Sequence, residues 1–496
     1  MPSSYILSID QGTTGTRALA VDKKGFIKGK SYKEFKQYFP QPGWVEHNPL
    51  EILQSTLSVV KQLFATTGIR PSQIAALGIT NQRETTILWD KGSGQPLHNA
   101  IVWQDRRTSD ICSHFKKQGL EKIFRNKTGL LLDPYFSGTK LKWLLDEIKT
   151  ARRKALAGKA LFGTVDTWLL WNLTGRKEHA TDYSNASRTL LFNIREKKWD
   201  AQLLKILNVP ESCLPEVKSS ASFFGKTAKI GPLPEGIPVY GMAGDQQAAL
   251  FGQACYEAGT LKNTYGTGCF VVLNTGKKCV QSQHGLLTTL ACDRHGRPAF
   301  ALEGSVFIAG AAIQWIRDGL KFVKKAAETE KIAASLKDTG GVYLVPAFVG
   351  LGAPYWDSRA RGAILGITRG TTRGHIIKAA LESIAYQTTD VVATMKKESL
   401  LAIPELKVDG GATQNAYLMQ FQADLLGVKI KKSPIVESTA WGAAKLAGIG
   451  SGFWKDVNDV DKKLRYRVFN PRLSPGRKNE LYSGWLDSVR RVLTAQ

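Results

Sequence analysis

The N-terminal part of the chain alternates two apolar runs with one polar turn. Residues 5–9 and 17–21 are mostly apolar, and residues 10–16 between them are rich in glycine and threonine. Two strand-like runs joined by a Gly-rich segment are typical of a β-hairpin. The pattern returns at residues 260–274, where residues 266–268 form the turn. Two hairpins of one chemical type, half a chain apart, indicate a duplicated architecture.

Further strand and helix signals lie downstream. A Gly-rich turn at residues 408–415 precedes a helical pattern at 416–426, and the clearest amphipathic pattern covers residues 376–397. Apolar residues recur there every three or four positions, as on one face of a helix. Strand patterns that alternate with helical ones predict an α/β fold.

A domain boundary is expected near the middle of the chain. The Gly/Pro-rich residues 230–238 are a predicted loop, and the apolar residues 239–242 lead into a helical pattern that runs through Ala254. We therefore predict an N-terminal domain, residues 1–254, and a C-terminal domain, residues 255–496. A chain of 496 residues is long enough for more than one core.

The composition is that of an ordinary globular protein, with 43% apolar residues. No run of about 18 uninterrupted apolar residues occurs, which argues against a membrane-spanning helix. Asp10 interrupts the first apolar run before a secretory signal could form, and the six cysteines include no Cys-x-x-Cys pair. We expect free thiols in a cytoplasmic protein without stable membrane insertion.

The net charge of +26 arises from 68 Lys and Arg residues against 42 Asp and Glu. Such an excess fits a nucleic-acid partner, an anionic membrane, phosphorylated substrates or a basic surface that favours solubility. The lysines are spread over several stretches, and neither a zinc finger nor an aromatic-basic repeat accompanies them. We therefore expect solvated faces and no nucleic-acid partner.

The first Gly-rich turn has the composition of a phosphate site. Glycine and small hydroxyl residues let backbone N–H groups converge on an anion. Asp10 enters the turn with a hard carboxylate oxygen of the kind that Mg²⁺ binds, and Arg17 leaves it. A plain tight turn is the alternative for any single hairpin, but Gly-rich turns recur at 266–268 and 410–411.

Two nucleotide-binding signatures are incomplete. Residues 225–227, Gly-Lys-Thr, resemble the end of a Walker loop, but Ser220 stands where that loop needs its first glycine. The Gly-x-Gly of residues 266–268 lacks the third glycine of a dinucleotide fingerprint, because position 271 is Val271. The sequence thus supports neither a P-loop ATPase nor a dehydrogenase.

Asp245 lies where a strand pattern gives way to a helical one. It can be a plain N-cap, because the first turn of a helix favours an anion. It can also be a general base that takes a proton from an attacking hydroxyl, with Gln246 orienting the same substrate.

Arg83 and Glu84 place opposite charges side by side in an apolar pattern. Adjacent strand residues point to opposite faces, so both can reach one ligand only at a strand end or a bulge. An arginine donor beside a glutamate acceptor suits a polyol, and a surface ion pair is the alternative. Trp103 and Tyr135 are either core aromatics or one wall of the same polyol pocket.

At these residues the chain resembles the FGGY family of carbohydrate kinases, within the wider actin-like ATPase superfamily. The resemblance runs nearly end to end, and its strength lies in the order of many motifs. The motifs that carry it are residues 8–17, 42–47, 78–85, 103–106, 134–140, 241–252, 263–268, 361–371 and 409–415.

The resemblance implies a fold and an activity. The fold would be two ribonuclease-H-like α/β domains that flank a central cleft. The activity would be the phosphorylation of glycerol to sn-glycerol 3-phosphate by Mg-ATP bound in that cleft. ATP and Mg²⁺ are therefore the expected cofactors, glycerol is the expected partner, and a homo-oligomer, dimer or tetramer, stays open.

The resemblance also implies roles for single residues. Those implied to surround glycerol are Arg83, Glu84, Trp103, Tyr135, Asp245, Gln246 and Phe270. Those implied to bind the nucleotide are Thr13, Thr14, Gly15, Arg17, Thr267, Gly310, Gln314, Gly411 and Asn415. Asp245 would be the general base, and Asp10 and Asp245 would hold the metal. Relatives often carry serine at position 15, so a hydroxyl contact would be lost here while a backbone contact would survive.

Three other functions compete with this one. A kinase of the same family would prefer xylulose, ribulose or gluconate to glycerol. An actin-like ATPase that switches a protein partner has no need of a polyol pocket, and its ATP hydrolysis should not respond to glycerol. A nucleic-acid binder driven by the charge should retain DNA or RNA in a salt-dependent manner.

Overall fold

The computed structural model describes residues 4–494. The chain packs into two compact units that are interleaved along the sequence. Unit 1 contains the described residues through Tyr256 together with Thr288–Phe300 and Ser438–Lys463. Unit 2 contains Glu257–Leu287, Ala301–Glu437 and the described residues from Leu464 onward. The boundary at residues 254 and 255 stays a prediction, and the units differ from it in the two later segments that pack with unit 1.

The first half of the chain is rich in short strands and helices. Its strands are β1 (Tyr5–Gln11), β2 (Gly15–Asp22), β3 (Ile27–Glu34), β4 (Glu46–His47), β5 (Ile74–Asn81), β6 (Ile87–Asp90), β7 (Ala100–Ile101), β8 (Ala160–Gly163), β9 (Ala180–Asp182), β10 (Phe192–Asn193), β11 (Lys198–Trp199), β12 (Glu216–Lys218), β13 (Gly225–Lys226) and β14 (Pro238–Gly244). Its α-helices are α1 (Pro49–Thr67), α2 (Ser109–Lys117), α3 (Glu121–Thr128), α4 (Ser137–Glu147), α5 (Ala151–Leu156), α6 (Val165–Leu173), α7 (Tyr183–Ala186), α8 (Ala201–Leu207) and α9 (Asp245–Gly252).

The second half contains fewer and longer helices. Its strands are β15 (Leu261–Tyr265), β16 (Cys269–Gly276), β17 (Leu287–Cys292), β18 (Pro298–Val306), β19 (Tyr343–Val345), β20 (Ala363–Leu365), β21 (Glu405–Asp409), β22 (Lys429–Lys432) and β23 (Arg467–Phe469). Its α-helices are α10 (Gly310–Gln314), α11 (Glu328–Ser335), α12 (Arg373–Ser399), α13 (Ala416–Leu426), α14 (Ser438–Gly450), α15 (Asn458–Asp461) and α16 (Pro475–Arg490).

Unit 1 is built on a six-stranded sheet with the order β13-β14-β5-β1-β2-β3. Side chains alternate across β1, so the two faces of the sheet are covered by different helices. Leu7 and Ile9 join a core that contains α1 residues such as Ile52 and Val59. Ser8, on the opposite face, donates a 2.7 Å hydrogen bond to the carbonyl of Ala440 in α14. A strand covered on both faces reads as a continuous apolar run, which is the pattern of residues 5–9.

Two glycines bring α14 against the unit 1 sheet. A Cβ added at Gly78 in β5 would lie 2.4 Å from the carbonyl oxygen of Ala443, and one at Gly241 in β14 would lie 2.6 Å from the same oxygen. No side chain fits in that space, so the helix rests directly on the backbone of the two strands. This close approach is the physical reason that a segment near residue 440 packs with unit 1.

Unit 2 contains five neighbouring strands in the order β16-β15-β21-β22-β23. Its long helix α12 confirms the amphipathic pattern at 376–397 and extends it by a few residues at each end. The predicted apolar stripe is fully buried at Ile377, Ile384, Val391 and Met395.

The two sheets repeat one topology. In unit 1 the hairpin strand β1 pairs in parallel with β5, which in turn pairs in parallel with β14. The strand β14 then pairs antiparallel with β13 at the edge of the sheet. In unit 2 the hairpin strand β15 pairs in parallel with β21, which in turn pairs in parallel with β22. The strand β22 then pairs antiparallel with β23 at the edge of the sheet. The predicted α/β class and the duplication are therefore confirmed.

A helix that crosses a bilayer needs about 20 predominantly apolar residues. Between residues 4 and 494, no helix combines enough length with enough apolar character to cross a membrane.

Candidate active site

Arg83 and Glu84 follow the end of β5 by two and three residues. Glu84 has a φ of 60°, a left-handed conformation that is uncommon outside glycine. This bend takes both side chains out of strand alternation, as the sequence predicted for a strand end. Both residues are buried, so the alternative of a surface ion pair is wrong.

A buried charge cluster surrounds Arg83. Its Nε lies 3.2 Å from Oδ1 of Asp245 and 3.7 Å from Oε1 of Glu84, and its Nη1 donates a 3.2 Å hydrogen bond to Oε1 of Gln247. The side chains of Arg83 and Glu84 are each 2% exposed, whereas that of Asp245 is 29% exposed. Asp245 is therefore the most exposed member of this trio.

Asp245 is the first residue of α9, and the N-cap position belongs to Gly244. The Oδ1 atom of Asp245 accepts a 2.7 Å hydrogen bond from the backbone N–H of Gln246. The partial positive charge of the first helical turn favours the ionised carboxylate. Simple N-capping thus does not account for Asp245, and the buried Gln246 follows it in the helix.

Trp103 and Tyr135 form an aromatic corner. Their ring centroids are 5.5 Å apart with an interplanar angle of 78°, an edge-to-face arrangement. The indole Nε1 of Trp103 donates a 2.9 Å hydrogen bond to the hydroxyl of Thr13 in the first turn. The predicted polyol wall and the predicted phosphate turn are therefore in direct contact within unit 1.

The backbone of Tyr135 is held by a buried lysine. Lys140 Nζ donates to the carbonyl of Tyr135 at 2.6 Å and to that of Phe136 at 3.3 Å. Burial lowers the pKa of Lys140 to about 8, and the carboxylates of Glu84, Asp105 and Asp133 oppose that shift. An amine anchored on two carbonyls holds the backbone that carries the Tyr135 ring.

The first turn is framed by a cross-strand ion pair. Asp10 and Arg17 are direct partners in the β1–β2 hairpin, and Arg17 Nη1 lies 3.2 Å from Oδ2 of Asp10. Arg17 also lies over the ring of Tyr32, 5.3 Å from its centroid. A Cβ at Gly15 would come within 2.5 Å of the Tyr32 hydroxyl. The Tyr32 ring thus occupies the space that a serine at position 15 would need.

The remaining predicted residues lie in unit 2. Thr267 is exposed at the tip of the β15–β16 hairpin, and Phe270 follows at the start of β16. Gly310 and Gln314 are the two ends of α10. Gly411 begins a 3-10 turn, and Asn415 caps α13 by accepting a 3.0 Å hydrogen bond from the N–H of Leu418. Most of these residues thus belong to Gly-rich turns or to the starts of helices, and all lie between positions 266 and 415 of the sequence.

Two carboxylates of the site, Asp10 and Asp245, are the predicted metal ligands. Within residues 4–494, no group of three or more His, Cys, Asp or Glu side chains is arranged to hold a metal ion. Asp10 and Asp245 offer hard oxygen atoms, and Mg²⁺ commonly uses one or two protein carboxylates together with phosphate oxygens and water. The donor chemistry of the two residues therefore fits a magnesium ion that arrives with a nucleotide.

Most of the chain matches the two domains of one protein family. The description "FGGY family of carbohydrate kinases, N-terminal domain" matches residues 5–252, and the corresponding C-terminal domain matches residues 261–451. The chain belongs to the FGGY family of carbohydrate kinases, which confirms the resemblance carried by the motifs.

Individual relatives are similar over nearly the full length. A glycerol kinase of a Geobacillus species is 55% identical over 490 residues, which is 99% of each chain. Glycerol kinase 2 of Thermotoga maritima is 56% identical with the same coverage. The crystal structure of a Plasmodium falciparum glycerol kinase with ADP has a TM-score of 0.94 and 36% identity, covering 100% of this chain and 99% of that one.

Sequence reasoning missed several residues of the buried cluster. Arg188 is fully buried, and its Nε donates a 2.6 Å hydrogen bond to Oε1 of Glu84. Its guanidinium also lies 5.7 Å from the ring centroid of Tyr135. Gln247 accepts from Arg83, as described above. No local sequence pattern predicts either contact. Arg188 is a single arginine, and Gln247 is a second glutamine beside Gln246.

Proposed function

We propose that this protein transfers the γ-phosphoryl group of ATP to glycerol and releases ADP and sn-glycerol 3-phosphate. The observation that supports this best is the cluster of Arg83, Glu84 and Asp245, in which two residues are buried and the third is open to solvent. Its arrangement suits a small polyol better than a protein partner. The full-length similarity to glycerol kinases points to the same substrate.

Glycerol would be bound through its hydroxyl groups. Arg83 donates and Glu84 accepts, and their charged groups lie 3.7 Å apart after β5. Arg188 and Arg83 lie 2.6 and 3.7 Å from Glu84 Oε1 and compensate the charge of this buried carboxylate. Trp103 and Tyr135 supply an apolar corner for the carbon chain, and Gln246 and Phe270 complete the proposed substrate residues.

Asp245 would act as the general base. It is the accessible carboxylate of the cluster, and its neighbour Arg83 orients it through the 3.2 Å contact. As the terminal hydroxyl of glycerol attacks the γ-phosphorus, the proton passes to Asp245, the new O–P bond forms, and the bond to the ADP oxygen breaks. A positioned base of this kind contributes about 10²–10⁴-fold to the rate.

The phosphates would lie against the Gly-rich turns. Thr13, Thr14, Gly15 and Arg17 are the proposed contacts in unit 1, and Thr267 is the one in unit 2. Gly310, Gln314, Gly411 and Asn415 are proposed to lie nearer the nucleoside. Asp10 and Asp245 would hold Mg²⁺, which when bound neutralises charge on the phosphate oxygens. Arg17 and the turn N–H groups stabilise the charge that develops during transfer.

A substrate panel tests the choice of glycerol. The protein is incubated with ATP and, separately, glycerol, xylulose, ribulose or gluconate, and the phosphorylated products are identified by mass spectrometry. We expect glycerol 3-phosphate to form at a far higher kcat/KM than any sugar phosphate. A preference for one of the longer substrates would contradict the proposal and favour the related sugar kinases.

The base assignment has its own test. Asp245→Asn keeps the shape of the side chain and removes its basicity, so we expect kcat to fall about 10²–10⁴-fold. Asp110→Asn is a matched control, since Asp110 is also an acid in the first turn of a helix, α2, and is exposed. Near-normal turnover in folded Asp245→Asn would show that another group takes the proton.

Compartment and assembly are also proposals. A cytoplasmic location fits the buried thiols of Cys112, Cys213, Cys269 and Cys292, which a reducing environment preserves. A homo-oligomer, dimer or tetramer, stays a prediction. Light scattering on the purified protein measures its mass and decides between these states.

A further inference from the structure

The carbonyl groups of the first turn are held by side-chain amides. The carbonyl of Gly12 accepts hydrogen bonds from Gln11 Nε2 at 2.8 Å and from Gln82 Nε2 at 3.2 Å. The carbonyl of Thr13 accepts a 3.0 Å hydrogen bond from Gln37 Nε2. Both peptide planes that follow Gly12 and Thr13 are therefore fixed from outside the turn.

His47 joins two of these amides. Its Nε2 lies 2.6 Å from Oε1 of Gln37, and its Nδ1 lies 3.3 Å from Nε2 of Gln82. His47 is buried, and its ring packs edge-on against Phe35 with centroids 4.9 Å apart. These contacts form a closed ring around the turn, which runs from Gly12 through Gln82, His47 and Gln37 to Thr13.

The neighbours of His47 define its hydrogen-bonding state. The amide oxygen of Gln37 is an acceptor, because its nitrogen already donates to the carbonyls of Thr13 and Phe35. His47 Nε2 must therefore carry a hydrogen, which leaves Nδ1 as an acceptor. Nδ1 faces Gln82 Nε2 at 3.3 Å and shares its two hydrogens with the oxygens of Gln11 and Gly12, at 3.1 and 3.2 Å. Burial lowers the pKa of His47 to about 3, which keeps the ring in this neutral form.

Anchoring a carbonyl also aims the next N–H group. In a trans peptide the C=O of one residue and the N–H of the next lie in one plane and point in opposite directions. The contact of Gln82 with Gly12 thus directs the N–H of Thr13 away from Gln82. The contact of Gln37 with Thr13 directs the N–H of Thr14 away from Gln37 in the same way.

A second chain of contacts reaches the aromatic corner. Gln82 Oε1 accepts from the Thr85 hydroxyl at 2.8 Å, and Thr85 Oγ1 accepts from the Trp103 N–H at 3.4 Å. The Trp103 indole in turn donates to the Thr13 hydroxyl. The amide of Gln82 therefore contacts the turn on one side and is linked to Trp103 through Thr85 on the other.

From these contacts we infer that His47 is a positioning residue for the first turn. Through Gln37 and Gln82 it sets the two peptide planes so that the N–H groups of Thr13 and Thr14 are presented to nucleotide phosphates before the nucleotide arrives. The inference rests on the proposed function, because it requires a phosphate ligand at this turn. His47 touches neither substrate in this account.

The test compares variants that break the ring at different points. Gln37→Leu removes the donor to Thr13, and His47→Phe removes both contacts of the imidazole while keeping an aromatic ring of similar size. We expect each change to weaken the binding of Mg-ATP, measured by calorimetry without glycerol, by about tenfold. The double variant should bind no more weakly than the weaker-binding single variant, because Gln37 holds the Thr13 carbonyl in the same chain of contacts through which His47 acts.

His179→Phe is the matched control. His179 is also buried, with a pKa that burial lowers to about 4, but its Nε2 contacts the carbonyl of Phe162, far from the turn in the contact network. We expect this variant to lose folding stability and to keep its affinity for Mg-ATP within twofold. Gln37 is only partly buried, so Gln37→Leu carries the test if His47→Phe does not fold.

Two results would overturn the inference: unchanged affinity in folded Gln37→Leu and His47→Phe, or losses that simply add in the double variant. The outcome is separate from that of the proposed function. A protein that binds Mg-ATP and fails to phosphorylate glycerol refutes the proposed reaction, while the comparison of affinities still decides the role of His47.

Discussion

The two hairpin turns are oriented by different kinds of anchor. In unit 1 the carbonyls of Gly12 and Thr13 are held by side-chain amides. In unit 2 the carbonyl of Gly266 accepts from the backbone N–H of Gly310 at 3.1 Å, and that of Thr267 accepts from Ala309 at 2.8 Å and Ala311 at 3.1 Å. The second turn is thus set by the start of α10 rather than by side chains.

The difference predicts how each turn responds to mutation. A side-chain anchor is lost when one residue is replaced, and the remaining contacts limit the damage. A backbone anchor survives most replacements, because every residue except proline supplies the same N–H. It fails when the helix start is pushed away from the turn, and then all its contacts shift together. Fewer substitutions should therefore damage the second turn than the first, and each of them should have a larger effect.

The largest effect is expected for Gly310→Ala. The added Cβ would lie 2.6 Å from the carbonyl oxygen of Gly266, so either the turn or α10 must move. Overpacking of this kind costs about 1–3 kcal/mol, and we expect kcat/KM for ATP to fall on the order of a hundredfold. Gly476→Ala in α16 is the control, because a Cβ there meets nothing within 4 Å. Equal kinetics for both variants would mean that the second turn tolerates displacement.

Acid should act on the first turn's anchor through His47. Its folded pKa, about 3, is below the ordinary value of 6.5, so the unfolded chain binds more protons between these values. Stability from this group is therefore fully present above pH 6.5 and is lost as the pH falls toward 3. We expect roughly 2 kcal/mol of that loss between pH 6.5 and 5. Denaturant unfolding at a series of pH values should show a shallower slope for His47→Phe; an unchanged slope would contradict the assignment.

A smaller effect is expected where the first turn meets the aromatic corner. Thr13→Val removes the hydroxyl that accepts from the Trp103 indole and leaves a half-buried donor without that partner. We expect KM for glycerol to rise about fivefold, the value of one hydrogen bond. Thr13→Ser keeps the hydroxyl and should behave like the parent protein. If the serine and valine variants have the same KM, the link does not position Trp103.

The smallest effect is expected for Gly15→Ser. The serine side chain would displace the ring of Tyr32, which is 44% exposed and can move. Arg17 then loses the aromatic face over which it lies, an exposed contact of about 0.5–1 kcal/mol. We expect kcat/KM for ATP to change by about twofold to fivefold. Tyr32→Ala should make the Gly15→Ser change nearly silent, and a full additional loss in that background would show that the two positions are independent.

The sequence predicted the secondary structure of the site better than the side-chain contacts between its elements. The Gly-rich hairpins, the long helix α12 and the break in strand alternation at Arg83 and Glu84 all follow from local patterns of two to four residues. The side-chain anchors do not. Gln37, His47 and Gln82 come from three separate segments, and only the packed sheet of unit 1 brings them together.

Long-range packing also explains the other omissions. Arg188 reaches Glu84 across 104 positions, and α14 reaches the first sheet across more than 360 positions from Gly78. No periodicity in a single sequence reports such contacts. The sequence predicts Asp245 at a helix start, whereas its exposure beside the buried Arg83 and Glu84 follows only from the three-dimensional arrangement.

The most direct test of the central claim is the rate of ADP release from Mg-ATP with and without glycerol. Phosphoryl transfer to glycerol predicts a slow background rate and a large, saturable increase when glycerol is added, with one glycerol 3-phosphate formed for each ADP. An ADP-release rate that does not respond to glycerol would contradict the account.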